Sequence, residues 1–194
     1  GVTNHLVAMA ENISDEAKLV TDLGHFKRAI TTIIEDLSAS FPEFSSQHCE
    51  QALTNYEHQL ERYMQGATML SYCPDHIRAR IISMGERLSV AILDSVLQCS
   101  GEQVSLLSPE KFLRTNESPL NAVADLVLSK EKFQEEYRKL NKIALMPGFM
   151  GACITEDGEQ RLTTLGRNGS DYSAAVLAVC AEAECCEIWT DVDG

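Results

Sequence analysis

The sequence is poor in basic residues, and the few that it has are scattered along the chain. Lysine and arginine number 16 against 29 aspartates and glutamates, which gives a formal net charge of −13 and a pI near 4.7. Nucleic acid is therefore not an expected partner, because binding to a phosphate backbone requires clustered basic side chains. No apolar run approaches the ~18 residues of a membrane-spanning helix, so no membrane partner is expected either.

Metal-binding patterns are also missing from the sequence. The seven cysteines include no CxxC pair, and His25, His48 and His58 have no spacing that would place them on one metal ion. No metal site is therefore expected. The interpretation of the cysteines is that they are reduced, mostly buried thiols of a cytoplasmic protein.

The first 100 residues predict helices. Apolar residues recur at three- and four-residue steps over residues 15–66, with a break at Phe41-Pro42. A second run, Pro74–Gln98, predicts one helix that is buried on most of its circumference, with a narrow solvated side (Arg80, Arg87, Asp94, Gln98).

Glu86 falls inside an apolar stripe of that helix. A carboxylate in such a place is costly unless it is paired or bound to a ligand. Two interpretations therefore stay open for it: a structural ion pair, for example with Arg78, or a role in a binding site.

Residues 101–194 alternate between strand and helix patterns and predict an α/β architecture. Strands are predicted at residues 102–108, 142–146, 162–165 and 185–190, with a charged helix within 121–140 and a hairpin turn at Asp157-Gly158. After the third strand, a turn with two glycines leads to an alanine-rich helix that Ser170-Asp171 opens.

That turn has the chemistry of an anion site. Gly166 and Gly169 permit a tight turn, the helix start offers unpaired N–H groups, and Arg167 adds a planar fork of donors. The alternative is an ordinary turn that needs glycine before a helix that needs a cap. Thr3 and Asn4 also have an ordinary interpretation, because by themselves they suggest only a helix cap at the start of the chain.

The exact residues of these segments are more informative than their patterns of apolar, polar and glycine positions. The run T-T-L-G-R-N-G-S-D-Y-S-A-A-V-L-A followed by C-C-E-I-W-T-D-V-D-G resembles the aspartokinases of the amino-acid kinase superfamily, most of all the kinase part of the bifunctional aspartokinase–homoserine dehydrogenases. V-T-N-H-L-V-A-M, M-G-E-R-L-S and G-F-M-G resemble further segments of that family, in the family's order along the chain.

The resemblance implies a fold and an activity. The fold would be an αβα sandwich with a mainly parallel sheet, and residues 1–194 would be part of one catalytic domain that is incomplete at both ends, because the K-F-G-G-T-S loop and the D-P-R segment of the family are absent from the sequence. The activity would be ATP- and Mg²⁺-dependent phosphorylation of L-aspartate to 4-phospho-L-aspartate in a homo-oligomeric parent enzyme. These 194 residues alone are expected to be inactive. The alternative is a non-catalytic module that binds an acidic metabolite.

The resemblance also implies residue roles. Arg167 would hold the α-carboxylate of aspartate and Glu86 its ammonium group, with Arg167 and Asp171 as the catalytic pair. The other residues implied around the substrate are Thr3, Asn4, Phe149 and Ser170. The residues implied on the nucleotide side are Thr190, Asp191, Asp193, Gly166 and Gly169.

Overall fold

The computed structural model describes residues 2–13, 15–137, 140 and 143–189. The chain divides into two compact units, each of which is described by itself. The first unit contains Gly1–Leu107 and Leu140–Pro147, and the second contains Ser108–Lys139 and Gly148–Gly194.

The first unit is mainly helical, as the sequence predicts. Its helices are α1 Val2–Glu11, α2 Glu16–Ser40, α3 Gln47–Leu70, α4 Asp75–Ile82 and α5 Met84–Cys99, and its strands are β1 Val104–Leu106 and β2 Ile143–Leu145. The two strands pair in parallel, with Ser105 opposite Ala144. The core contains fully buried side chains from all five helices, including Leu6, Phe26, Leu60, Ile81 and Leu88.

The boundaries of α2 follow from local chemistry. The Asp15 side chain accepts a hydrogen bond from the Lys18 N–H, which satisfies one of the free donors at the helix start. The helix ends at Ser40 because Phe41 is extended, at φ −125° and ψ 99°, as a residue before proline tends to be. The predicted break at Phe41-Pro42 is therefore confirmed.

The single helix predicted over Pro74–Gln98 is wrong, because the structure divides it at Ser83. The Ser83 hydroxyl donates to the Arg80 carbonyl, a local bond that competes with regular helix geometry. Asp94, predicted to be solvated, is only 3% exposed. The reason is that α3 packs on α5, where the Cys49 thiol donates to the Ser95 hydroxyl at 3.3 Å.

The second unit combines strands and helices. Its elements are α6 Pro109–Phe112, α7 Leu126–Glu136, β3 Met150–Ile154, β4 Gln160–Thr164 and α8 Gly169–Cys180. β3 and β4 form an antiparallel pair around the predicted turn at Asp157-Gly158, where Gly158 has φ +81°. The Arg114 backbone bridges to β3 in parallel, and the Thr164 N–H donates to the Pro119 carbonyl beside β4.

The α/β class is confirmed, while the fourth predicted strand is not. Cys185–Trp189 has no regular structure, and Trp189 is 89% exposed. A strand needs a hydrogen-bonded neighbour, and no described strand pairs with this segment. The prediction of mostly buried thiols is also wrong: all seven cysteines are free, but only Cys49, Cys153 and Cys180 are buried. Over the described residues, no helix is long and apolar enough to cross a membrane.

Candidate functional site

The start of α8 is a glycine-containing turn with free backbone donors. Gly166 has φ +74° and Asn168 has φ +56°, so the chain turns sharply before the helix begins at Gly169. Ser170 and Asp171 lie inside the first turn and do not cap it. Within the described part of the chain, nothing accepts a hydrogen bond from their backbone N–H groups. An exposed helix start of this kind favours an anion.

Arg167 lies in the same turn. Its side chain is exposed, and the described residues include no acid that forms an ion pair with it. A guanidinium that is not committed to a protein partner can bind a carboxylate or a phosphate through two parallel hydrogen bonds. Ser170 and Asp171, one helical turn further on, are also exposed.

The Gly148-Phe149 turn is held against the first turn of α8 by a buried serine. Phe149 has φ +70°, and its N–H donates to the Ser173 hydroxyl at 3.1 Å. Ser173 is fully buried and donates in turn to the Ser170 carbonyl at 2.8 Å. Sequence reasoning missed Ser173. The available signal was a hydroxyl on the buried face of an alanine-rich helix, where it needs a partner.

Gly169 is required by packing on Phe149. A Cβ on Gly169 would lie 2.7 Å from Cδ2 of Phe149 and 3.1 Å from Cβ of Leu165. Residues 149, 165 and 169 are therefore in contact at the base of the turn, and a side chain at position 169 forces the Phe149 ring to move.

Gly169→Ala should therefore lower the free energy of unfolding by about 1–3 kcal/mol, the usual cost of overpacking. The matched control is Gly24→Ala within α2, where a new Cβ meets nothing within 4 Å. That change should stabilise by about 0.5–1 kcal/mol, because alanine is the better helix former. Urea unfolding of both variants checks the sign, and stabilisation by both would contradict the packing role of Gly169.

Glu86 lies in the first turn of α5, in the first unit, and is half-buried. Burial raises the pKa of its carboxyl group above the usual range, although the start of a helix favours a negative charge. Arg78, the expected ion-pair partner, instead binds Glu11. No residue that the structure describes forms an ion pair or hydrogen bond with Glu86, so a structural ion pair does not explain this carboxylate.

Thr3 and Asn4 belong to the first turn of α1 and not to a cap before it, because α1 already begins at Val2. The crossing of α1 and α5 is close at Gly85. A Cβ there would lie 3.6 Å from Oγ1 of Thr3 and 3.4 Å from Cδ1 of Leu6. The structure therefore brings Thr3 next to the residue that precedes Glu86, while Asn4 is exposed.

The predicted site residues thus form two groups, one in each unit. In the first unit, Thr3 lies beside Gly85, the residue that precedes Glu86, at the α1–α5 crossing. Phe149 and Gly169 are in contact in the second unit, where Gly166, Arg167, Ser170 and Asp171 are part of the same turn and helix start. Thr190, Asp191 and Asp193 lie outside the described residues.

Comparison with known proteins covers the whole chain. A model of the "Amino acid kinase family" matches residues 1–194. The bifunctional aspartokinase/homoserine dehydrogenase of Buchnera aphidicola is 38% identical over 194 residues, which are all of this chain and 23% of that protein. Lysine-sensitive aspartokinase 3 of Escherichia coli is 30% identical over 196 residues, which cover all of this chain and 41% of that protein.

A solved structure gives the same result for the fold. Aspartokinase III of E. coli, in complex with aspartate and ADP, matches all of this chain with a TM-score of 0.80 and 29% sequence identity. This chain covers 41% of that one. It therefore spans less than half the length of the relatives that it resembles.

Proposed function

Because the chain belongs to the amino acid kinase family, we propose that it carries the substrate-binding part of an aspartate kinase. The main observation is the start of α8, which adjoins the Phe149 turn. The N–H groups of Ser170 and Asp171 and the Arg167 side chain have no partner among the residues that the structure describes. Support comes from the relatives, which are named as aspartokinases, and from the similar structure that contains aspartate and ADP.

The reaction is an in-line transfer of a phosphoryl group. An oxygen of the aspartate side-chain carboxylate forms a bond to the γ-phosphorus of ATP, while the bond from that phosphorus to the β–γ bridging oxygen breaks. The products are 4-phospho-L-aspartate and ADP. The carboxylate is already ionised at neutral pH, so no general base is needed, and the protein contributes positioning and charge neutralisation. Mg²⁺ enters with ATP as part of the nucleotide substrate.

Residues at the start of α8 bind the acidic end of the substrate. Arg167 holds the α-carboxylate of aspartate through two parallel hydrogen bonds. Ser170 and Asp171 line the same turn, and Phe149, fixed by Ser173, limits the space beside it. Arg167 and Asp171 act as the catalytic pair by fixing the substrate in the orientation for attack.

Glu86 is the residue proposed to bind the ammonium group of the substrate. Glu86 is a half-buried carboxylate without a partner among the described residues, and an ammonium ion offsets the loss of hydration that burial causes. Thr3, which lies beside Gly85 at the α1–α5 crossing, and Asn4, the next residue of α1, supply further polar groups for the substrate.

The glycines of the turn at the start of α8 are assigned to the nucleotide side. Gly166 has a positive φ, and neither it nor Gly169 has a side chain. The two glycines therefore leave the backbone N–H groups of Ser170 and Asp171 accessible to phosphate oxygens. Thr190, Asp191 and Asp193 belong to the segment T-D-V-D-G, which resembles the nucleotide side of the family, and they are proposed to complete that side here. The whole protein is proposed to be a cytoplasmic homo-oligomer, as befits a biosynthetic enzyme of this family.

A trapping assay tests the activity. Full-length protein is incubated with MgATP, L-aspartate and hydroxylamine, which converts an acyl phosphate into a stable hydroxamate. We expect hydroxamate and ADP in equal amounts, with L-glutamate as a control substrate that reacts poorly because it is one methylene longer.

Separate calorimetric titrations with aspartate and with MgATP distinguish the kinase from the alternative, a non-catalytic module that binds an acidic metabolite. A non-catalytic module would bind aspartate and form no hydroxamate. Release of ADP without hydroxamate would contradict a carboxylate acceptor.

A further inference from the structure

Two histidines and one aspartate from different helices meet in the first unit. His5 lies on α1, while Asp22 and His25 lie on α2. Asp22 and His25 are three residues apart, so they occupy the same face of α2. Sequence reasoning compared His25 with the histidines of α3 and not with His5, because only the packing of α1 on α2 brings His5 to it.

The three side chains are close enough to share a ligand. One potential ligand atom from each residue lies within 4.8 Å of the others. Nδ1 of His5 is 3.9 Å from Oδ1 of Asp22, which is too long for a hydrogen bond. The His5 and His25 rings have centroids 5.5 Å apart and are tilted by 58°. The ring nitrogens are therefore not committed to a tight stack or a short hydrogen bond with each other.

Asp22 supplies an independent indication of a missing ligand. The residue is 9% exposed, and its Oδ2 atom is buried without a hydrogen-bond partner among the described residues. A buried carboxylate oxygen that is neither paired nor hydrogen-bonded costs free energy, and buried charges normally have a partner or coordinate a metal. A cation bound by Asp22 and the two histidines removes that cost.

The donor set selects the kind of cation. Imidazole nitrogens suit zinc, copper, iron and nickel, whereas calcium and magnesium prefer oxygen ligands throughout. Two histidines and one carboxylate leave the fourth position of a tetrahedron for water, which is a known arrangement for zinc. With bonds of about 2.0–2.1 Å, tetrahedral ligand atoms are about 3.4 Å apart. The present spread can contract to this value, because His5 is 35% exposed and His25 is exposed, so both rings are able to rotate.

We propose that His5, Asp22 and His25 form a binding site for a divalent transition metal, with Zn²⁺ as the best match. The metal joins α1 to α2 and so stabilises the folded first unit, since the three ligands come together only on folding. None of the three ligands is among the residues proposed for aspartate or for the nucleotide, and the metal site does not depend on the proposed activity.

Titration of the full-length protein with Zn²⁺ tests the proposal. Exposed thiols also bind zinc, so the experiment uses a Cys185→Ser, Cys186→Ser background, which removes the two exposed cysteines. We expect one Zn²⁺ per chain, and we expect His5→Gln and His25→Gln each to raise its Kd at least about 100-fold, beyond the 10–100-fold typical of losing an outer-sphere partner. His58→Gln, which alters an exposed histidine of α3, is the matched control and should leave the Kd unchanged.

Spectra with Co²⁺ give a second measurement that is independent of the variants' stability. A site of two nitrogens and one oxygen gives visible absorption bands of a tetrahedral ion without the near-ultraviolet charge-transfer band of a thiolate ligand. The proposal is overturned if no Zn²⁺ binds, if the Co²⁺ complex shows thiolate bands alone, or if the Kd is equal in His5→Gln, His25→Gln and His58→Gln.

Discussion

Replacing Arg167 with lysine should raise the aspartate KM of the full-length enzyme by about 10–100-fold and leave the ATP KM within about twofold. Lysine keeps the positive charge, but it is a point donor and cannot form the two parallel hydrogen bonds that a guanidinium makes with a carboxylate. The loss of one charge-assisted hydrogen bond, about 1.5–3 kcal/mol, gives this range. Steady-state kinetics with each substrate varied in turn measures both constants.

Two controls make that result specific for the α-carboxylate. Arg161→Lys alters another exposed arginine of the second unit, one that already pairs with Glu159, and should change neither KM. β-Alanine is aspartate without the α-carboxylate. The wild-type enzyme should discriminate strongly against it, and Arg167→Lys should lose much of that discrimination. Equal changes in the KM of aspartate and ATP, or an unchanged ratio of aspartate to β-alanine, would refute the role given to Arg167.

The sequence predicts the local structure at several points where short-range chemistry decides it. Phe41-Pro42 follows the end of α2, and Asp157-Gly158 forms the hairpin, as their residue types require. One failure is local, because the division of the predicted helix at Ser83 accompanies a hydrogen bond to the Arg80 carbonyl. Others concern long-range packing. The pattern of α5 could not show that α3 covers Asp94, and the apolar run at residues 185–189 could not show whether a neighbouring strand pairs with it.

The candidate site also has features that could be predicted from the sequence and features that could not. The glycine turn and the free start of α8 follow from the sequence, because Gly166 adopts the positive φ that such a turn needs. The fixing of Phe149 by Ser173 does not follow from it, since the two residues are 24 positions apart and only the fold brings them together. The contact of His5 with His25 depends in the same manner on the crossing of two helices.

Glu86→Gln should leave the protein at least as stable as the wild type at neutral pH, even though it removes a group from a structured helix. Burial raises the pKa of Glu86 in the folded state, so between the unfolded and the folded pKa the folded protein binds more protons than the unfolded chain. Stability contributed by this group therefore falls as the pH rises through that interval, and the ionised carboxylate is unfavourable above it. The advantage of the variant should disappear below about pH 4, where the glutamate is protonated in both states. Thermal unfolding against pH measures this.

Stability and activity should move in opposite directions in that variant. Glutamine has the same shape and no charge, so aspartate loses the partner of its ammonium group, and kcat/KM for aspartate should fall about 100-fold or more at pH 8. In the wild type, kcat/KM for aspartate should decline as the pH falls through the raised pKa of Glu86, and the variant should lack this limb of the profile. Succinate, which is aspartate without the ammonium group, should be handled almost equally by both enzymes.

Glu50→Gln is the matched control for Glu86→Gln, because Glu50 is an exposed acid in the first turn of α3. Its loss removes a favourable interaction with the start of a helix and should lower stability by a few tenths of a kcal/mol without changing the kinetics. If Glu86→Gln lowered stability as Glu50→Gln does, the carboxylate would have a structural partner in the folded protein. If it also kept the wild-type preference for aspartate over succinate, Glu86 would not be the ammonium site, and a binding group for the substrate would have to be sought on another residue.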